Sequence, residues 1–142
     1  MNKKGFTLIE VLVVITIIGI MTSIAIPASQ GIAKKINEKS YQTKIKLASE
    51  GAKLWGEDNN VCFTCMKPSC PVVCEDLDCI EETTDKRICT ITMEFLAKYQ
   101  YFKYDDENKI IDPRNKNKTL NEKSITIIYY KKNGTVNAYG EN

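Results

Sequence analysis

The apolar run over residues 6–26, FTLIEVLVVITIIGIMTSIAI, constrains this chain more than any other feature. At ~1.5 Å per residue, a helix of that length spans ~30 Å, the thickness of a bilayer's hydrocarbon core. Lys3 and Lys4 precede the run and no basic residue interrupts it. The positive-inside rule therefore puts Met1 on the cytoplasmic side and everything after Pro27 outside. An ordinary secretory signal has a shorter apolar core, ~7–15 residues, and a small-residue cleavage site. Ile26-Pro27-Ala28 is a poor site of that kind, with proline beside the bond. A plain anchor explains the length but not Glu10. A mid-bilayer carboxylate costs roughly 2.5–3.5 kcal/mol to insert, and less near an end. Glu10 lies about one helical turn from Phe6, shallow on the cytoplasmic side. The cost is tolerable, yet an anchor gains nothing from it. An acid inside a membrane segment calls for a named partner.

A cut between Gly5 and Phe6 would supply that partner. It would leave a new amino group on Phe6, close in depth to Glu10. A buried ammonium and a buried carboxylate are each unfavourable alone, and pairing offsets much of the cost. The pair can form within one helix or between neighbouring chains, and the second arrangement sets a stagger between chains.

The residues Lys3-Lys4-Gly5-Phe6-Thr7-Leu8-Ile9-Glu10-Val11-Leu12 resemble the class III signal of type IV pilins and type II secretion pseudopilins, and the likeness continues through Gly19 and Pro27. The resemblance implies that a prepilin peptidase and methyltransferase cuts after Gly5 and N-methylates Phe6, and that Glu10 serves filament assembly. It implies as partners other pilins or further copies of the chain in a helical filament, a membrane platform with its assembly ATPase, and inner-membrane lipid before assembly. The expected location is a single pass of the inner (cytoplasmic) membrane with the head outside, followed by a surface or periplasmic filament. Glycine and proline both weaken a helix, so the stretch between Gly19 and Pro27 is where α-structure should bend or melt. Membrane helices also tolerate both residues without consequence.

Helical character resumes after Pro27 and should stop near Trp55-Gly56, before Asp58-Asn59-Asn60. Tyr41, Ile45, Ala48, Ala52 and Trp55 recur at helical steps and form one stripe. Ile32, Ile36, Leu47 and Leu54 fall on a roughly opposite face. Two apolar faces suggest one against a head and one against other chains, or else a helix sunk deeper in its own domain.

All six cysteines, Cys62, Cys65, Cys70, Cys74, Cys79 and Cys89, lie in one segment. Only Cys62 and Cys65 have the C-x-x-C spacing common in zinc sites. The membrane topology places the segment outside, where disulfides persist. The even count and the compartment favour three disulfides over a thiolate metal site, and leave the pairing open. A redox-active C-x-x-C lacks the βαβ context that would support it. A small head has a thin core, and cross-links would compensate.

Farther on, residues 92–100 read as a short helix, with Thr92 able to cap it and Glu94 in its first turn. Lys109-Ile110-Ile111 reads as a brief strand, residues 114–123 as an exposed basic loop, and residues 124–131 as a strand. Asn133-Gly134 signals a two-residue hairpin turn, which would set Lys131 opposite Val136 and Tyr129 opposite Ala138. This order also resembles the pilin and pseudopilin head, including Tyr101-Phe102 and Asp112-Pro113. The six-cysteine insert departs from it, since many pilins carry one C-terminal disulfide instead.

The expected fold is thus α+β and pilin-like: a long N-terminal helix on a small antiparallel sheet head, with a disulfide-rich loop. The expected divisions are a leader at 1–5, a transmembrane and polymerisation half-helix at 6–27, and a head-packing half at 28–56. The globular head follows at 57–142, with the cysteine-rich loop at 57–91 and the short helix and hairpin at 92–142. The chain has no histidine, nucleotide loop or catalytic triad, so no enzyme activity, catalytic residue, cofactor or metal is expected. The acidic stretches, Glu75-Asp76 with Asp78, Glu81-Glu82 and Asp105-Asp106-Glu107, lack the loop pattern of calcium sites. Charge is nearly balanced, with 20 basic and 18 acidic residues. DNA phosphates would accept residues 114–118 and Lys131-Lys132 if a filament served uptake; an ordinary solvated surface explains them as well. The function expected is a structural subunit of a type IV pilus-like filament. The alternatives are a pseudopilin of a type II secretion or competence system and, from another class, a membrane-anchored cysteine-rich binding protein.

Overall fold

A computed structural model describes residues 7–65, 69–74 and 77–140, with backbone alone at 24–30 and 80–82. The chain opens with one long helix, α1 (Leu8–Asp58). Two 3-10 turns follow, Asn60–Phe63 and Val72–Cys74. Then come β1 (Asp78–Glu82), β2 (Lys86–Thr92), a short helix α2 (Met93–Lys98), β3 (Ile111–Asp112), β4 (Asn115–Thr119), β5 (Ser124–Tyr130) and β6 (Thr135–Gly140). The architecture is an N-terminal helix followed by an antiparallel sheet head, mixed α+β, with a disulfide-rich region. By contacts the chain divides into two compact units, at Asn37 and Glu38.

In the second unit the stripe on α1 is the seed of the core. Tyr41, Ile45, Ala48, Ala52 and Trp55 are all buried. They meet the inner face of a four-stranded sheet of order β1-β2-β5-β6, antiparallel throughout. Strand alternation supplies that face: Cys89 and Ile91 from β2, Ile125, Ile127 and Tyr129 from β5, Val136 from β6. Trp55 is the hub, edge-on to Phe63 and to Phe95 at ring separations of 6.2 and 5.1 Å. Phe63 in turn stacks on Tyr129 at 5.1 Å. Thr92 caps α2, its hydroxyl accepting the Phe95 N–H at 3.1 Å.

Half of the main sheet comes from a region expected to be loop. β1 and β2 are the C-terminal part of the cysteine segment, and Cys79 lies directly opposite Cys89. The alternation in Lys86–Thr92 (KRICTIT) is a strand signal that the cysteine spacing overshadowed. Residues 115–119 are also strand: β4 pairs with β3, although every residue of β4 is exposed. The β5–β6 turn differs by two residues from expectation. Tyr130 pairs with Thr135 and Tyr129 with Val136, so the loop holds four residues, 131–134. Only Gly134 in it adopts positive φ, at 68°. Its N–H donates to the Tyr130 carbonyl, while the Asn133 side chain accepts the Thr135 N–H. A two-residue turn of the mirror-image kind needs positive φ at both positions. A shift of two preserves which side chains face inward, so the core is unaffected.

Candidate assembly site at the start of the long helix

Thr7, Leu8, Ile9 and Glu10 form a closed hydrogen-bonded unit. The Glu10 carboxylate accepts from the Thr7 N–H at 2.9 Å and from the Thr7 hydroxyl at 2.8 Å. The Thr7 hydroxyl oxygen accepts the Glu10 N–H at 3.3 Å. Helix α1 begins at Leu8, so Thr7 is the N-cap and Glu10 the third helical residue. This is a capping box, in which cap and carboxylate satisfy one another's orphan backbone donors. The expectation that an anchor gains nothing from Glu10 needs this correction: the carboxylate orders the helix start in a single chain. The T-x-x-E spacing of Thr7 and Glu10 is the sequence signal of such a box.

From Leu8 to Met21 the large side chains stand exposed, from Val13 at 47% to Leu8 at 85%. The hydroxyls of this stretch turn back onto its own backbone. Thr16 donates to the Val13 carbonyl, Thr22 to those of Ile18 and Gly19, and Ser23 to that of Ile20. Such bonds hide polar groups from an apolar surrounding. Glu10 is then the one ionisable side chain between residues 7 and 23. Gly5 and Phe6, the expected cleavage and methylation positions, lie outside the described residues. α1 is helical across Gly19 and Pro27 in the single chain, and a Cβ at Gly19 would meet nothing. Among the described residues no helix is long and apolar enough to cross a membrane. The run at 6–26 begins and ends outside the described side chains.

The expected cysteines are all paired: Cys62–Cys74, Cys65–Cys70 and Cys79–Cys89, with Cα separations of 5.3, 5.4 and 3.8 Å. No thiolate is left to bind metal. A second constellation escaped sequence reading. Asp112, 5% exposed, takes the Arg114 guanidinium through Nε at 3.2 Å and Nη2 at 3.1 Å. The guanidinium carbon lies 3.3 Å from the centre of the Tyr41 ring, and Nη1 is 3.9 Å from Glu38. The pair clamps the β3–β4 ribbon to α1. The Arg114 hydrogen bonds hold the Asp112 carboxyl below its ordinary range, and Asp112 raises the Arg114 guanidinium in return. Asp105 is likewise engaged rather than merely solvated, accepting from Lys44 at 2.6 Å and from the Ile111 N–H at 2.7 Å.

Residues 1–26 match the family model described as the prokaryotic N-terminal methylation motif. Neither the curated proteins nor the solved structures gave a match. The motif implies processing by a prepilin peptidase, membrane anchoring before assembly, and assembly of the pilus type. Over residues 1–26, therefore, the chain is similar to the class III signal of type IV pilins and pseudopilins, and the motif supports a pilin-like or pseudopilin protein with a structural role.

Proposed function

We propose that this chain is a prepilin, the structural subunit of a type IV pilus-like filament. It crosses the inner membrane once through residues 6–27, with the leader 1–5 in the cytoplasm and the head, residues 57–142, outside on the half-helix 28–56. Cleavage after Gly5 and methylation of Phe6 create the amine that Glu10 of a neighbouring chain neutralises. The stretch between Gly19 and Pro27 is the part of the helix that yields on assembly. One observation carries the proposal: the motif at residues 1–26 opens an apolar helical surface whose single ionisable group sits at its first turn. The apolar surface is unfavourable in water and needs lipid or other helices around it.

The capping box sharpens the test. Glutamine can occupy the third position of a capping box but carries no charge. Glu10→Gln should keep the helix start and processing yet lower the filament yield in sheared fractions to near that of Glu10→Ala. Wild-type filament yield from Glu10→Gln would leave Glu10 a capping role alone and remove its charge from assembly. A pseudopilin would give the same dependence with filaments confined to the periplasm.

A further inference from the structure

The three disulfides are not equivalent. Cys62, Cys74 and Cys89 are buried, at 3%, 4% and 0% exposure. Cys79 is partly exposed, but its partner Cys89 lies on the inner face of the sheet. In the Cys65–Cys70 bridge both residues are partly exposed. It also closes the smallest ring, with a sequence separation of 5 against 12 and 10. Loop-closure entropy grows with ring size, so this bridge constrains the unfolded chain least. It is nested within Cys62–Cys74, which still ties the segment when the inner bridge opens.

Exchange needs access for an attacking thiolate and a stabilised leaving thiolate. Cys65 and Cys70 line an open cavity of about 690 Å³ that Cys62, Cys74 and Cys79 also border, and its charged lining among the described residues is Asp78, Arg87 and Lys131. The opening gives an attacking thiolate access to that bridge. We infer that Cys65–Cys70 is a thiol-exchange site, at which a low-molecular-weight thiol forms a mixed disulfide while the rest of the head stays folded. The incoming thiolate attacks one Sγ, the Sγ–Sγ bond breaks, and a new bond joins the thiol sulfur to that cysteine. The other cysteine departs as a thiolate and takes a proton from water. A second thiol can then release the first as its symmetrical disulfide and leave a dithiol. The thiol is the reductant throughout. The inference does not rest on the filament reading, since it requires only that the head meet a thiol.

The test uses the full oxidised chain in detergent, incubated with reduced glutathione without denaturant. After an acid quench, new thiols are blocked with N-ethylmaleimide and the modified peptides are mapped. Glutathione or maleimide should reach Cys65 and Cys70 about tenfold faster than the other four, because each ~1.4 kcal/mol of opening needed at a buried bridge slows attack tenfold. Equal rates at all three bridges, or earlier modification of Cys79 and Cys89, would overturn the inference. The double variant Cys65→Ser with Cys70→Ser should lose the fast phase and keep both other bridges. A fast phase of unchanged amplitude in that variant would also overturn it.

Discussion

Asp112 and Arg114 show how one ion pair secures an element that has almost no core of its own. β4 is exposed at every position, so burial contributes little to holding it. The bidentate pair, with the guanidinium lying on Tyr41, supplies the attachment instead. Asp112 has a folded-state pKa below that of an unfolded aspartate, chiefly because Arg114 hydrogen-bonds its charged form. The stabilisation is therefore complete above the unfolded value, ~3.9, and is lost as pH falls through the lower folded value. Asp112→Asn should cost about 1–3 kcal/mol near neutrality and flatten the acid limb of stability, read as urea midpoints against pH. Gly51 is a second residue with no tolerance. A Cβ there would run into the Tyr101 carbonyl oxygen, which is backbone and cannot yield easily. Tyr101 is fixed in turn by its hydroxyl, which donates to Asp58 at 2.7 Å. Gly51→Ala should destabilise the protein by roughly 1–3 kcal/mol in denaturant titration, despite the better helix propensity of alanine.

Among the elements, α1 answers a question that its sequence left open. The stripe from Tyr41 to Trp55 is buried, whereas Leu47 and Leu54, on the other face, are 53% and 57% exposed. The second apolar face is not sunk in the chain's own domain, which leaves it available to other chains. The stripe was legible because helical spacing depends only on local periodicity. The hairpin was legible in existence but not in register, because Asn133-Gly134 fits both a two-residue loop and the end of a four-residue one. Gly134→Ala tests the observed turn: with φ at 68° the substitution should cost about 1–2 kcal/mol, seen as a lower thermal midpoint. Asn133→Ala should cost less, since Asn133 contributes one side-chain hydrogen bond and no positive φ. β2 was hidden because its residues straddle the end of a cysteine cluster and the N-cap of α2. Its place between β1 and β5 depends on long-range pairing that no local pattern states.

At the scale of the whole molecule, two kinds of cohesion divide the chain. The unit from Glu38 onward has an aromatic and aliphatic core stapled by three disulfides, each bridge worth about 2–4 kcal/mol in a domain of this kind. The described part of the unit ending at Asn37 is helix with its apolar side chains outward, and it has no core of its own. Such a segment makes physical sense as material shared between lipid and polymer. The motif over residues 1–26 was legible because membrane insertion and processing are read from linear sequence. The Asp112–Arg114 clamp was not, since its partners Tyr41 and Glu38 are brought to it by the fold. If the apolar run is a processed polymer core, intact mass with N-terminal sequencing of protein sheared from the cell surface or the periplasm will read it. The expected chain begins at methylated Phe6 and is lighter than its reduced form by the hydrogens of three disulfides. A chain beginning at Met1, or cut after Ala28, would contradict it.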